Sequence, residues 1–361
     1  MRKFVIAAFA AGIVLMAFIL PTRSAPESSP DKPAAGLETA KSTPPVPEQT
    51  RTPALPTPEP VETNVPPPPE PTPFSFAWIS DTQEYTAKDN NVFSTMTQWV
   101  ADTRQQYNTV LTIQTGDIVY NAYQDYQWQN SIRAFSLLPK GMRILTAAGN
   151  HDFLEQWDTN TPYLKNRPDT NFEQKNAFDE RGFNYYTTFT EGGVPFLVFS
   201  LAYGYEVAAE DWINMICGQY PDHYAALCLH SYMDLGGYTS TGRYLIGSVI
   251  RKSPNIRLVV CGHARGTAYL PTEIDDNGDG IPDRTVHQMM VDTQDDPENG
   301  AGFLRILRFH PDEDTIEVVT YSPVLDKFGY SSVGGDGFGG TEYLKDAGLR
   351  AFLNEGTAAD D

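Results

Sequence analysis

The hydrophobic pattern changes character twice along the 361-residue chain. Phe4 to Leu20 is an unbroken apolar run without a charge, preceded by Arg2 and Lys3. At about 1.5 Å per residue, a helix of that length comes close to spanning a hydrocarbon core of roughly 30 Å. From Pro21 to Pro73 no helical or strand period survives, and 17 of the chain's 28 prolines fall there among Thr, Glu, Ser and Ala. Such a stretch buries too little apolar surface to offset its ordering entropy, so it reads as an extended, semi-rigid spacer.

Beyond the spacer the pattern becomes that of a folded domain, residues 74–361. FSFAWIS (74–80), VLTIQT (110–115) and RILTAA (143–148) are short apolar runs with the composition of buried strands. Between them, NVFSTMTQWVADTRQQY carries Val92, Met96 and Val100 on one helical stripe beside Phe93 and Trp99, and DYQWQNSIRAFSLL is also helical. VPFLVFSL, AALCL and RLVVC predict further strands, with helices around 208–215 and over GRYLIGSVIRK. Strands alternating with helices predict βαβ units and a parallel sheet covered on both faces. The last third (VHQMMVD, FLRILRF, TIEVVTY) is strand-rich without long helices, and predicts a second sheet packed on the first. Phe153 to Arg181 is polar and irregular; it reads as an insertion over the site, with Trp157, Tyr163 and Phe172 offered for stacking or for packing.

Charge and chain ends narrow the setting. Six basic and seven acidic residues precede Phe74, so of the net −20 the domain carries −19, which makes nucleic acid a poor general partner. The N-terminal run is expected to be a signal anchor, or alternatively a signal peptide. No small-x-small cleavage site follows it, since Ala25 has Arg23 two residues before and Pro26 after. Either way the domain is expected outside the cytoplasm, anchored or secreted, touching the membrane through the N-terminal segment alone. Of three cysteines, Cys217 and Cys228 are candidates for one disulfide in that compartment.

The candidate chemistry sits where the predicted strands end: Asp81 and Gln83 in SDTQ, Asp117 and Tyr120 in GDIVY, Asn150 and His151 in GNHD, His230 in LHSY, and His263 and Arg265 in GHAR. In a parallel sheet the carboxyl ends of strands share one edge, where ligands bind. Carboxylate, amide and imidazole are donors for a divalent or trivalent metal. Three of the chain's six histidines fall in this set, a concentration that a merely structural role does not require.

This ordered series resembles the calcineurin-like metallophosphoesterase superfamily, whose blocks run D-x-H, G-D-x-x, G-N-H-[DE], H and G-H-x-H. The resemblance covers nearly all of residues 74–321. It implies a four-layer α/β sandwich, two mixed β-sheets flanked by helices, with a two-metal centre between the sheets. By the same resemblance Asp81, residue 83 and Asp117 hold one metal, and Asp117, Asn150, His230 and His263 hold the other, Asp117 being shared. Gln83 stands in place of the first-block histidine; its amide oxygen still ligates, though weakly. Arg265 stands in place of the last histidine and has no lone pair to offer. Tyr120 matches the tyrosine that purple acid phosphatases of this superfamily place on ferric iron, and is a further candidate ligand; a turn-packing role is the other reading.

The resemblance implies a hydrolase of phosphomonoesters or phosphodiesters, using one or two transition-metal ions (Fe, Mn or Zn) and metal-activated water. His151 would serve the leaving group, and the substrate would be a phosphorylated small molecule or surface polymer. Arg265 has two readings, a guanidinium fork for phosphate oxygens or an ion pair with a neighbouring carboxylate. The alternative function is a non-hydrolytic cell-surface binding domain with a one-metal or metal-free site. Separately, DDNGDGIPD (275–283) matches the start of a calcium loop: Asp275, Asn277 and Asp279 as side-chain ligands, Gly280 at the turn, the Ile281 carbonyl, and Asp283 at position nine. Position twelve is Val286 rather than Glu, so the full pattern fails; a structural Ca²⁺ and an empty acidic turn are the two readings.

Overall fold

The chain divides into two units, Met1–Asn64 and Val65–Asp361. The computed structural model describes residues 72–153, 161–168, 173–294, 301–330 and 338–353, all in the second unit. The anchor, most of the spacer, Trp157 and Phe172 lie outside the described residues.

In chain order the strands are β1 Phe74–Ile79, β2 Thr109–Gln114, β3 Arg143–Thr146, β4 Tyr185–Glu191, β5 Val194–Leu201, β6 Tyr224–Leu229, β7 Met233–Asp234, β8 Gly237–Tyr238, β9 Ile256–Cys261, β10 Gly266–Ile274, β11 Arg284–Asp292, β12 Leu304–His310, β13 Thr315–Ser322, β14 Lys327–Phe328 and β15 Thr341–Lys345. The helices are α1 Gln83–Lys88, α2 Val92–Tyr107, α3 Asp125–Phe135, α4 Tyr163–Asn166, α5 Glu210–Gln219 and α6 Ser240–Leu245.

Two mixed sheets form. One runs β14-β13-β12-β1-β2-β3 with β15 on β13, and the other runs β10-β11-β9-β6-β5-β4; β7 and β8 pair apart. Each sheet has a parallel part, β1-β2-β3 running to one edge of the first and β5-β6-β9-β11 at the centre of the second. Antiparallel strands close their flanks, β12 on β1, β4 on β5 and β10 on β11. The two mixed sheets that the resemblance implied are therefore present, and the parallel βαβ units read from the pattern make up only part of each. The last third does not make the second sheet by itself. It sends β12 and β13 to the first sheet and β11 to the second, whose spine comes from the middle of the chain. Apolar runs alone do not record which strand they pair with.

The period of two in the strands sorts the core into layers. Phe74, Phe76 and Trp78 face the second sheet and meet Phe196, Val198, Tyr224 and Leu258, while Ala77 and Ile79 face α2 and α3 through Val92, Phe93, Met96 and Trp128. On the second sheet Leu197, Phe199, Leu227 and Val259 turn outward onto Ile213 and Ile216 of α5 and Leu245 of α6. The order is helix, sheet, sheet, helix. Helix α2 carries the predicted stripe, with Val92, Phe93, Met96 and Val100 buried, and it ends at Asn108 in the left-handed conformation. Tyr163 is packing rather than stacking: it is fully buried and its hydroxyl donates to the Thr146 carbonyl at 2.9 Å.

Cys217, Cys228 and Cys261 are buried free thiols. Cys228 faces the layer between the sheets, and Cys217, on helix α5, packs against the far face of the same sheet. The sheet separates them, so the disulfide expected from their closeness in sequence does not form.

Phe196 centres the inter-sheet layer, with its ring against Phe74, Phe76, Phe309 and Tyr224. Phe196→Ala is expected to lower unfolding free energy by about 3–5 kcal/mol in urea denaturation; a loss below about 1 kcal/mol would mean the sheets do not meet there.

Candidate metal centre

The carboxyl ends of β1, β2 and β3 in one sheet and of β6 and β9 in the other meet along one edge. Asp81, Asp117 and His263 each follow a strand end and take left-handed φ values of 51°, 54° and 72°. Residues with a Cβ rarely adopt this conformation, and it turns their side chains off the strand line. Three glycines make room for them. A Cβ at Gly149 would overlap the Asp117 carboxylate, one at Gly262 would overlap Asp81 and Ser80, and one at Gly116 would press on the His230 ring. The glycines of the G-D, G-N-H and G-H blocks are thus spacers against the chemistry-bearing side chains.

Four donor atoms converge. His230 Nε2 lies 3.2 Å from Asp117 Oδ2, 3.1 Å from Asn150 Oδ1 and 3.1 Å from His263 Nδ1. A metal bound at about 2.0–2.2 Å to N and O ligands sets neighbouring donors roughly 3 Å apart, so these separations fit one ion. His230 Nδ1 donates to the Thr115 carbonyl at 2.9 Å, which fixes the tautomer and turns Nε2 inward. Four lone-pair donors aimed at one point repel unless a positive charge sits among them. Burial opposes charge on His230, yet the Asp117 carboxylate, its hydrogen bond, Asp81 and the Thr115 carbonyl push the imidazole pKa up to about 10. Against its own burial, Asp117 is held below the usual carboxylate range by His230 and by His151. His263 is pulled below the ordinary imidazole value by burial and by its neighbour His230. Asp117, His230 and His263 are the one cluster of three or more acidic, His or Cys ligands among the described residues.

The other predicted residues divide. Asp81 is fully buried and its pKa is raised by burial and by nearby Asp292; both its oxygens accept the His263 backbone N–H, at 3.2 and 3.0 Å, and Ser80 donates to it as well. Gln83 opens α1 and donates its amide to Asp117 Oδ2 at 3.1 Å, while its buried Oε1 has no hydrogen-bond partner. His151 donates its backbone N–H to Asp117 Oδ1 at 2.9 Å; its Nδ1 donates to the Tyr120 carbonyl at 2.7 Å, so Nε2 is the lone-pair nitrogen. Tyr120 is half exposed, and its ring lies 5.1 Å from the His151 ring at a tilt of 44°, beside the acid candidate. Arg265 Nη1 pairs with the buried Asp292, and 47% of the Arg265 side chain remains open.

Three residues with structural claims on the site were not among the candidate site residues named from the sequence, although Asp152 closes the GNHD block. Asp152 closes the turn after β3: its Oδ1 accepts the Ile118 and Val119 N–H groups at 2.9 and 3.1 Å and its Oδ2 accepts Gly149 N–H at 2.8 Å. Burial, with the Asp117 charge, pushes its carboxyl up to about 7. Asp292 ends β11, and the strand-end rule that found Asp81 and Asp117 would have found it in VHQMMVD. Tyr203, just beyond β5, lays its ring 5.9 Å from His230 and 5.7 Å from His263; no short motif marks it.

The 275–283 loop closes on itself. Asp275 accepts Gly278 and Gly280 N–H at 2.6 and 2.7 Å, Asp279 accepts Ile281 N–H at 2.8 Å, and Asp283 accepts Asp276 N–H at 2.7 Å. Asn277 Oδ1 accepts Asp279 N–H at 2.8 Å. The loop's shape therefore has internal support of its own, far along β10 and β11 from the metal centre.

A family model for calcineurin-like phosphoesterases matches residues 74–264, more than half of the chain. The chain belongs to that family, and the two mixed sheets flanked by helices are its fold. An uncharacterized Bacillus subtilis protein, YvnB, is 34% identical over 269 residues, covering 72% of this chain and 21% of its own length, so the chain spans about a fifth of that relative. A dimetal phosphatase from Danio rerio has a similar structure at 9% identity, with a TM-score of 0.50 over 76% of this chain and 99% of its own. A purple acid phosphatase from yellow lupin gives a TM-score of 0.44 at 11% identity over 73% and 54%. Family and cluster together support metal-dependent phosphoester hydrolysis with a divalent metal cofactor.

Gly149→Ala is expected to displace Asp117 and cut bound metal per chain at least tenfold, measured by elemental analysis, with the far-ultraviolet circular dichroism kept. Unchanged metal content would show that Gly149 is not needed as a spacer.

Proposed function

We propose that this chain hydrolyses phosphomonoesters or phosphodiesters outside the cytoplasm, at a centre held by Asp117, Asn150, His230 and His263. The observation that carries the reading is the convergence of Asp117 Oδ2, Asn150 Oδ1 and His263 Nδ1 on His230 Nε2, each 3.1–3.2 Å from it. When bound there, an Fe, Mn or Zn ion supplies Lewis acidity toward phosphoryl oxygens and a lowered pKa for water.

The chain's own groups do the rest. His151, its Nδ1 tied to the Tyr120 carbonyl, offers Nε2 to the departing oxygen and donates the proton there from its protonated form. Asp117, which accepts the His151 backbone N–H, couples the position of that acid to the metal cluster. Tyr120 and Tyr203 wall the site with ring faces that order the ligand and exclude bulk water. Arg265 offers an exposed guanidinium at the rim for phosphoryl oxygens. The apolar N-terminal run and the proline-rich spacer support a tethered or secreted location, and membership of the phosphoesterase family supports a phosphorylated small molecule or surface polymer as substrate. The spacing of Asp275, Asn277, Asp279, Ile281 and Asp283 supports a structural Ca²⁺ in the exported domain.

Chelator-treated protein resupplied with Mn²⁺, Zn²⁺ or Fe should turn over a chromogenic phosphomonoester or diester. His151→Ala should lower kcat by roughly 10²–10⁴-fold without loss of metal. Absence of turnover with every metal would replace the hydrolase by the alternative, a surface domain that binds phosphorylated or sugar ligands. For the calcium loop, Ca²⁺ added to chelator-treated protein should raise the Tm, and Asp275→Ala should abolish the rise; a Tm indifferent to Ca²⁺ contradicts bound calcium.

A further inference from the structure

Exposed rings gather on the loop that leads from β2 into the first turn of α3. Of the five strongly exposed tyrosines among the described residues, three are Tyr120, Tyr123 and Tyr126 of this loop. The backbone that carries them is pinned from beneath. Buried Gln127 accepts the Asn121 N–H at 2.9 Å, and buried Trp128 donates its indole N–H to the Ala122 carbonyl at 3.0 Å. Asn121 accepts the Tyr123 N–H at 2.9 Å through its side chain, and Val119 N–H donates to Asp152 at 3.1 Å. Rings exposed on a fixed backbone cost a ligand little ordering entropy, and that is how aromatic contact surfaces are built.

Tyr120 is the one set against the acid candidate. Its carbonyl accepts His151 Nδ1 at 2.7 Å, and its ring centroid lies 5.1 Å from that of the imidazole, with half of the residue open. That hydrogen bond leaves Nε2 to serve the departing oxygen, which must come within about 2.6–3.2 Å of it for proton transfer. Whatever is attached to that oxygen therefore starts beside the imidazole that Tyr120 flanks. From there it runs over the Tyr120 ring or out into water. A small alkyl group gains little from the ring. A group with a flat apolar face gains more, because contact takes apolar surface of both partners out of water, and an aromatic ring adds its own preference for stacked or edge contact.

We propose that Tyr120 selects the leaving group, and that the substrates carry a ring, aromatic or sugar, within a few bonds of the ester oxygen that departs. The proposal rests on the phosphoester reading of the site and adds to it which side of the ester the protein recognises. Aromatic and sugar rings share the chemistry used here, an apolar face that packs on the phenol ring. Tyr120 makes the contact through its ring, so phenylalanine replaces it and alanine does not.

The test compares phenethyl phosphate and glucose 6-phosphate with n-butyl phosphate on the full chain loaded with Mn²⁺. All three expel a primary alkoxide, so a difference in kcat/KM reports the ring rather than the acidity of the leaving group. One or both ring esters should exceed the butyl ester by about tenfold, and which of them does so tells the kind of ring. Tyr120→Phe should keep that ratio, and Tyr120→Ala should bring it to within about twofold of one. Damage to His151 would lower all three esters together and leave the ratio standing. A native ratio near one for both rings, or a ratio that survives Tyr120→Ala, would overturn the proposal. Calorimetric binding of phenylpropylphosphonate against pentylphosphonate, whose C–P bonds resist hydrolysis, gives a reading without turnover. A ring preference there that Tyr120→Ala removes, in a protein that turns over no ester, would reject the hydrolase and keep the ring contact. Turnover with no ring preference in either assay would keep the hydrolase and reject the ring contact.

Discussion

The centre depends on a repulsion. Asp117, Asn150, His230 and His263 direct lone pairs at one another from two different sheets, and only a positive charge among them makes that arrangement favourable. In a buried, low-dielectric position the demand is strong, because water cannot screen it. The raised basicity of His230 is the same demand expressed through a proton. Metal binding and proton binding therefore compete for one place, and the Thr115 carbonyl decides which ring nitrogen takes part.

Everything around that point serves to keep the donors from moving apart. The strands end in left-handed residues so that Asp81, Asp117 and His263 leave the sheet line, and glycines next to them remove the side chains that would collide. Asp152 ties the turn after β3 to the loop after β2 through three backbone N–H groups. Behind these turns lies the aromatic layer between the sheets, with Phe76, Phe196 and Phe309 in mutual ring contact. A rigid layer of this kind transmits strand position to the strand ends, so the core sets the geometry of the site.

Much of this was legible in the chain. Parallel strands buried on both faces read as short apolar runs, and a site at their carboxyl ends concentrates His, Asp and Asn just after those runs; Asp81, Asp117, Asn150, His230 and His263 were found on that pattern. The pairing of strands was not legible, because β12 and β11 are similar apolar runs that join different sheets. Cys217 and Cys228 misled for the same reason: closeness along the chain says nothing about which face of a strand a side chain takes. Asp292 and Tyr203 belong to the site only through sheet register and a loop's path. The direction of Arg265 required a partner more than twenty residues away, which no local motif records.

The most direct test is to locate the ion. Crystals of the Mn²⁺- or Zn²⁺-loaded protein, measured at the metal's absorption edge, should give an anomalous peak bounded by Asp117 Oδ2, Asn150 Oδ1, His230 Nε2 and His263 Nδ1. A peak bound elsewhere, or a loaded crystal whose four donors face one another with no ion between them, would contradict the account.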